Sequence, residues 1–489
     1  MNKFKMFDNS KRLTRSSNKS GSIFLAVIVI FISLFFGVAA VIFPWWWIAA
    51  IVLSVVFIFI GFTYPLVALI ALVGVASHLI PHALLPTIRV LGGTVPASDM
   101  ALFAAYVFCL LKYNRNTVAA KQALSTIIIP LILVLTLLFF SVARSAILVH
   151  LPMKDILGES RHFLYWLLIP LIALACADKA RFRFVVFGIL ALAFLFSISQ
   201  IVQGFFGVSV SGRQLASLET LGQVSGDVTR STTPGIHIIV WGFLFVLVLF
   251  TNRVKFSAWL ILLCMILFAG IFLTYGRMVW AATVMAVMFL CWKLEFKKLI
   301  RALRMLAIVG VLGLGSVLVL KPSAIEGAIQ RLFSVEDEVS HGSSLGWRFY
   351  ENEMSWIAIQ QSPLIGIGLG APYRPSAKSD ANPEQVRYVH SAYIFLILKT
   401  GLVVFSALLY LIFRILQMTY KLTRSRDAFI AGFAIASFAA MLEYFIACFT
   451  QPELMQTAGI AFLATIAGLV CAATYLNNAQ ELDKLKREV

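Results

Sequence analysis

The chain has 489 residues, of which 61% are hydrophobic and only 13% charged, with a formal net charge of +18. That balance excludes an ordinary soluble domain. A sequence pI near 9.8 would suggest nucleic-acid binding in a soluble protein, but here the charge is divided among short loops, so no nucleic-acid partner is expected.

The first 22 residues form a basic tail holding Lys3, Lys5, Lys11, Arg12, Arg15 and Lys19. Apolar runs of about 20 residues follow, each long enough to cross a bilayer core. Fourteen are predicted: 23–43, 45–62, 64–80, 98–112, 123–142, 162–177, 184–207, 236–251, 257–275, 278–292, 304–320, 391–413, 428–447 and 455–476. No alternating pattern of barrel strands appears, so the spans are helices. The first run exceeds the usual length of a signal-peptide core and reads as an uncleaved helix. The expected fold is therefore an all-α, polytopic integral membrane protein. Eleven helices fill 23–320, a long external loop occupies 321–390, and three helices fill 391–477. Residues 478–489 are a second cytoplasmic tail, with a short amphipathic helix over 479–489 lying on the inner surface.

Charge tests this threading. With the N-terminus inside, 26 of the 40 Lys and Arg and 7 of the 22 acids fall on the inner side, net +19. Thirteen basic and 14 acidic residues fall outside, net −1. This is the positive-inside distribution, and it places both termini in the cytoplasm. The six cysteines fall in or at the ends of membrane helices without metal-ligand spacing. They read as small apolar groups, and neither disulfides nor a structural metal are expected.

Four polar constellations lie on the predicted outer side. Arg277, in Leu273-Thr274-Tyr275-Gly276-Arg277, sits in a minimal turn between two spans. It is either an interfacial arginine snorkelling to the headgroups or an anion-binding arginine whose donor fork suits a diphosphate. Arg230 lies just before the eighth span, where a helix N-terminus attracts anions; Arg213 in the same loop competes for that role. His390 closes the long loop at the membrane surface, as a helix-capping residue or as a general base, since imidazole titrates near neutral pH. His341, His78, His82 and His150, scattered on other outer segments, are less well placed, and no metal site is read from them.

The fourth constellation is the glycine run Gly366-Ile367-Gly368-Leu369-Gly370. It lacks a βαβ context, so it is read as allowing tight turns rather than as a dinucleotide fingerprint. Before it, residues 345–360 form an expected amphipathic helix with Trp347, Tyr350, Met354, Ile357 and Ala358 on one side, presenting Arg348 to a cavity. The whole loop is longer than the roughly 15 residues at which loops are usually functional or disordered, and its aromatic and aliphatic content argues against disorder. Two charges fall inside spans, Lys399 and Glu443, and the expectation is a buried pair between them.

Together these elements resemble the O-antigen ligase and polymerase superfamily. The carrying residues are Leu273-Thr274-Tyr275-Gly276-Arg277, then Trp347-Arg348 with Trp356, then Ser362-Pro363-Leu364-Ile365-Gly366-Ile367-Gly368, and His390-Ser391-Ala392-Tyr393, in that order around a long external loop. The well-matched part runs from about Arg230 to Gly401. Gly276 stands where the family often has Ser, and Ser391 where it often has Asn. The resemblance implies a GT-C-type glycosyltransferase in the bacterial inner membrane. Its donor would be an undecaprenyl-diphosphate-linked glycan, its site on the periplasmic face, and no cofactor or metal would be needed. It implies Arg230 and Arg277 as the diphosphate clamp and His390 as the base. Arg348, with Arg213 and Tyr393, would make supporting substrate contacts.

The acceptor separates two members of that class. A polymerase extends another lipid-linked repeat, and a ligase transfers to lipid A-core. The fourteen spans and the basic N-terminal extension favour polymerase. A transporter or lipid flippase is the alternative of a different class, disfavoured by few midplane charges and no visible paired halves.

Overall fold

The computed structural model describes residues 52, 55–56, 58–81, 85, 87–90, 93–208, 210–211, 216–217, 229–230, 233–252, 257–333, 344–376 and 386–488. The chain divides into two compact units, Met1–Thr63 and Tyr64–Val489, and the elements below belong to the second. In chain order they are α1 Pro65–Ala76, β1 Thr87–Val90, β2 Gly93–Pro96, α2 Ala97–Tyr113, α3 Thr117–Leu124, α4 Ile128–Ile147, α5 Met153–Ser160, a 3-10 turn Arg161–Leu167, and α6 Leu168–Ala175. Next come α7 Lys179–Phe206, β3 Ala216–Ser217, β4 Thr229–Arg230, α8 Ile236–Thr251, α9 Ala258–Phe272, α10 Arg277–Lys293, α11 Phe296–Leu320 and α12 Pro322–Phe333. The last are α13 Ser344–Gln361, α14 Ala392–Leu422, α15 Ala428–Ala447 and α16 Thr457–Glu488. The strands form two isolated antiparallel pairs, β1 with β2 and β3 with β4. The protein is an all-α membrane protein.

Six of these helices are long and apolar enough to cross a membrane: α4, α7, α11, α14, α15 and α16. Helices α8 and α9, of 16 and 15 residues, are apolar but shorter. Helix α8 is the centre. Every residue from Ile236 to Thr251 except Leu249 is buried, which is how an all-round apolar helix behaves when protein surrounds it. Its indole Trp241 Nε1 donates to Ser437 Oγ on α15 at 3.0 Å. Each apolar run from 64–80 onward has helix at its place; 23–43 and most of 45–62 lie outside the described residues. The separate surface helix expected over 479–489 is corrected: α16 continues without a break to Glu488.

Side-chain ties sort the helix ends. At one end Lys293, closing α10, donates to Tyr420 near the end of α14 at 2.8 Å. Lys179, opening α7, meets the Asp427 carboxylate at the start of α15 at 2.5 Å. At the opposite end the Ala392 amide, opening α14, donates to the Cys448 carbonyl just past α15 at 2.9 Å. Lys321, just past α11, donates to the last carbonyls of α7 at Gly204 and Phe205, where an ammonium complements the helix dipole. The starts of α8, α10 and α14 and the ends of α4, α7 and α11 therefore share one end of the bundle.

Candidate active site

Helix α13 presents Glu351 inward. The residues it buries are Glu351, Ser355, Ala358 and Ile359, a helical face of spacing 4, 3 and 1. The apolar side expected to pack does so only in part, since Ile357 is exposed; the packed face instead carries a carboxylate. Glu351 is 2% exposed, and a buried carboxylate needs donors. Trp347 Nε1 donates to Oε1 at 2.9 Å. Oε2 lies 2.7 Å from His390 Nδ1 and 3.4 Å from the His390 amide. A carboxylate only accepts, so Nδ1 carries the imidazole hydrogen and the Nε2 lone pair is left for chemistry. The Tyr388 ring meets the imidazole edge-on at 5.0 Å. Nearby Tyr373 donates its hydroxyl to the Tyr388 carbonyl. Burial first, then the neighbouring Glu351 carboxylate, push that hydroxyl up to about 12, so it stays a donor.

The glycine run positions this corner. Helix α14 is broken at Gly401, where φ is 79°. The segment after α13 fills the break: Ile367 and Gly368 amides donate to the Leu398 and Lys399 carbonyls, while the Leu402 and Val403 amides donate to Pro363 and Leu364. Irregular backbone at membrane depth survives only when its polar groups are met in this way. A Cβ on Gly401 would stand 2.2 Å from the Leu364 oxygen, and one on Gly366 2.5 Å from the Lys399 carbonyl carbon. Gly366, Gly368 and Gly370 all have positive φ, as the tight-turn reading requires.

Arg277 is the first residue of α10. Its turn is held by Thr274, whose Oγ1 donates to Ile271 O and accepts from the Gly276 amide. Tyr275 is buried in the left-handed region at φ 49°, a strained conformation of the sort that accumulates at functional sites. Gln200, buried in α7, couples this turn to the start of α8: its Nε2 donates to Leu273 O and its Oε1 accepts from the Thr233 amide. Arg230 lies three residues before Thr233, in β4, its backbone paired with Ala216. Arg277 and His390 thus open helices at the same end of the bundle, with Thr233, three residues after Arg230, tied through Gln200 to the Arg277 turn.

Residues 262–409, from α9 into α14, match the family model described as O-Antigen ligase. That segment is similar to the O-antigen ligase family, in agreement with the resemblance drawn from the sequence. A search of curated proteins gave no match. The matched segment contains Arg277, Arg348, Glu351, His390 and Lys399; Arg230 and Glu443 lie outside it.

The remaining expected residues fall as follows. Arg213 and His341 lie outside the described residues. Arg348 is half-buried on α13, one turn before Glu351. The Tyr393 hydroxyl donates to Phe445 O at 2.7 Å, joining α14 to α15. The expected Lys399–Glu443 pair is corrected. Lys399 is fully buried and its Nζ meets Glu159 Oε1 at 2.9 Å and the Ala371 carbonyl at 2.5 Å. Glu159 Oε2 also accepts from the Gly370 amide, so the ion pair joins α5, the glycine run and α14. Glu443 instead faces His237 Nδ1 at 2.9 Å, with Glu453 Oε2 3.7 Å from Nε2. Depth along the two spans was similar, but the two charges sit on different faces and find nearer partners.

Sequence reasoning missed Glu351, Glu159 and His237. Glu351 had a signal: it stands four residues after Trp347 and three after Arg348, on one helical face. Another missed link is Arg387 to Asp155 at 2.5 Å, which anchors the segment leading to His390 onto α5.

Proposed function

We propose that this protein is a membrane glycosyltransferase of GT-C type that polymerises a surface polysaccharide. It would transfer an undecaprenyl-diphosphate-linked glycan to the sugar hydroxyl of another lipid-linked repeat, at the outer face of a bacterial inner membrane. The observation that carries the reading is the His390 imidazole held through Nδ1 by buried Glu351, inside the matched segment and at the same bundle end as Arg277.

The chemistry follows from those groups. The acceptor hydroxyl attacks the anomeric carbon of the donor glycan and passes its proton to His390 Nε2. A positioned base contributes roughly 10²–10⁴-fold. The bond to the diphosphate breaks and the lipid diphosphate leaves with its electron pair. Arg277, with Arg230, offers fixed positive charge to the developing anion, the preorganised stabilisation that acts strongly where water is excluded. Two guanidinium groups supply the charge that a divalent cation gives many nucleotide-sugar enzymes. Arg348 and Arg213 would contact phosphate or sugar.

Basic residues support the orientation. Lys179, Arg181, Arg183, Lys293, Lys297, Lys298 and Arg301 gather at the end opposite His390, as expected of a cytoplasmic face. Both termini would then lie in the cytoplasm. The fourteen apolar runs and the basic N-terminal extension favour polymerase over ligase. Purified protein given lipid-linked repeat units should build a ladder of products, with or without EDTA. A single transfer to lipid A-core would make it a ligase, and ion-coupled uptake without glycan transfer would make it a transporter.

A further inference from the structure

A cleft of about 440 Å³ opens between α2, α4, α5 and the 3-10 turn after α5. This is within the usual size of a ligand pocket, and its lining includes neither Arg277 nor His390. Its walls are apolar: Phe103 on α2, and Leu135, Leu138, Phe139 and Val142 on α4. Phe103 and Phe139 are more than half exposed, so the cleft opens sideways through faces that meet hydrocarbon in a membrane. From Val142 to Leu135 it runs about 10 Å along α4, at 1.5 Å per residue.

Polar groups stand at one end only. Arg161 Nη1 is 3.6 Å from Asp99 Oδ2, and Asp99 Oδ1 also accepts from Tyr165 at 2.9 Å. Asp99 is buried while Arg161 is half-buried. The carboxylate thus orients the guanidinium without saturating its donor fork, which suits phosphate oxygens. Asp99 opens α2 and Arg161 follows α5. The polar end is therefore the bundle end that carries His390, and the apolar walls run inward from it.

Two relationships decide which lipid belongs there. Helix α5 lines the cleft with Leu157 and Ser160, while its Asp155 and Glu159 hold Arg387 and the Gly370–Lys399 corner. An occupant would press on the helix that anchors the approach to His390. Helix α14 packs on α4 at one flank and on α15 at another, and α15 packs on α10. The cleft and the Arg277 end of α10 are therefore on different flanks of the His390 helix. We infer that the cleft is a second lipid site, which seats the hydrocarbon chain of the acceptor lipid with its phosphate at Arg161, leaving the Arg277 flank to the donor. The acceptor assignment rests on the glycosyltransferase reading; the presence of a lipid-phosphate site does not.

The test uses the full chain in phospholipid nanodiscs and a polyprenyl phosphate bearing a photoreactive diazirine in its chain. Adducts should map to 99–103 or 135–142, and unlabelled polyprenyl phosphate should compete where added phospholipid does not. Leu138→Trp, which fills the cleft, and Arg161→Gln, which leaves its packing, should each lower labelling about tenfold. In the transfer assay both should raise the acceptor KM about tenfold with the donor KM unchanged. Adducts elsewhere, or equal displacement by phospholipid, would overturn the site. A raised donor KM with labelling at the cleft would overturn the acceptor assignment. Wild-type protein that binds the probe but transfers no glycan would sink the glycosyltransferase reading and leave the lipid site standing.

Discussion

Glu351 Oε2 and His390 Nδ1 are 2.7 Å apart, joined across 39 residues of sequence. The bond fixes both the tautomer and the direction of the imidazole, as carboxylates commonly do for functional histidines. Glu351→Gln keeps the shape but replaces one acceptor oxygen by a donor. Turnover should fall about 10–100-fold, the range seen for outer-shell partners of metal-bound histidine, with donor KM nearly unchanged and the acid limb of the pH–rate profile, where the base becomes protonated, displaced. His390→Ala should lose more, at the level of a missing base. An unaltered pH profile in Glu351→Gln would reduce Glu351 to a packing role.

Arg277→Ala should abolish transfer in protein that still inserts and folds. Arg277→Lys should also be impaired, because a point charge loses the two-at-a-time contact with diphosphate oxygens. Wild-type rates in well-expressed Arg277→Ala protein would remove the arginine from the proposed clamp.

Glu159→Met should lose about 3–5 kcal/mol, because it leaves the fully buried Lys399 charge without its counter-ion; Lys399→Met should lose less, since Glu159 is partly exposed and keeps the Gly370 amide. The double variant should recover most of that loss in thermal stability, less the Gly370 amide contact. Lys399→Met/Glu443→Met should recover nothing. Rescue in that second combination would restore the pairing read from sequence.

The sequence made the spans legible because lipid demands long apolar runs, and hydropathy reads that demand directly. The turn at Arg277 and the histidine closing the loop were legible as motifs for the same reason, since charges stand out in such a chain. Partners were not legible. Depth along a helix follows from counting residues, but which face a charge occupies depends on rotation and packing. That is why Lys399 met Glu159, 240 positions away, rather than Glu443. His237 was passed over as one more residue of an apolar run, although its contact with Glu443 ties α8 to α15. Glu351 hid because an acidic residue on a loop helix looks like a solvated face until His390 is beside it.

Gly401→Ala and Gly366→Ala should both lower the melting temperature and the yield of monodisperse protein. Each forces a side chain into the left-handed region at about 1–3 kcal/mol, and each also drives a Cβ into backbone. Unchanged melting in either variant would contradict the close approach of the glycine run to the helix break.

Acid should weaken the opposite end of the bundle. Asp427 caps α15 through the Phe429 and Ile430 amides and meets Lys179. Burial works to raise its carboxyl, but Lys179 and those amides outweigh it and hold the group below its ordinary 3.8. A depressed folded value means the stabilisation is complete above the unfolded value and is lost as pH falls through the folded one. Asp427→Asn keeps the cap, since Asn serves as well there, but loses the ion pair with Lys179, so it should be less stable than wild type at pH 7 by up to about 1 kcal/mol. The gap should begin to narrow below about pH 4 and vanish only once the pH is below the folded value. A gap that does not narrow at all as pH falls from about 4 towards about 2 would show that the charge is not its source.

The break in α14 also bears on biogenesis. The strand of chain that plugs it, 363–368, is synthesised before the helix it completes. In the proposed orientation, the groups that satisfy the open carbonyls and amides of residues 398–403 lie on the far side of the membrane from the ribosome. In that orientation, translocation of the loop would precede stable seating of this helix. A chain stalled in export should hold α14 in the translocon or at the interface, where protease or the quality-control machinery can reach it.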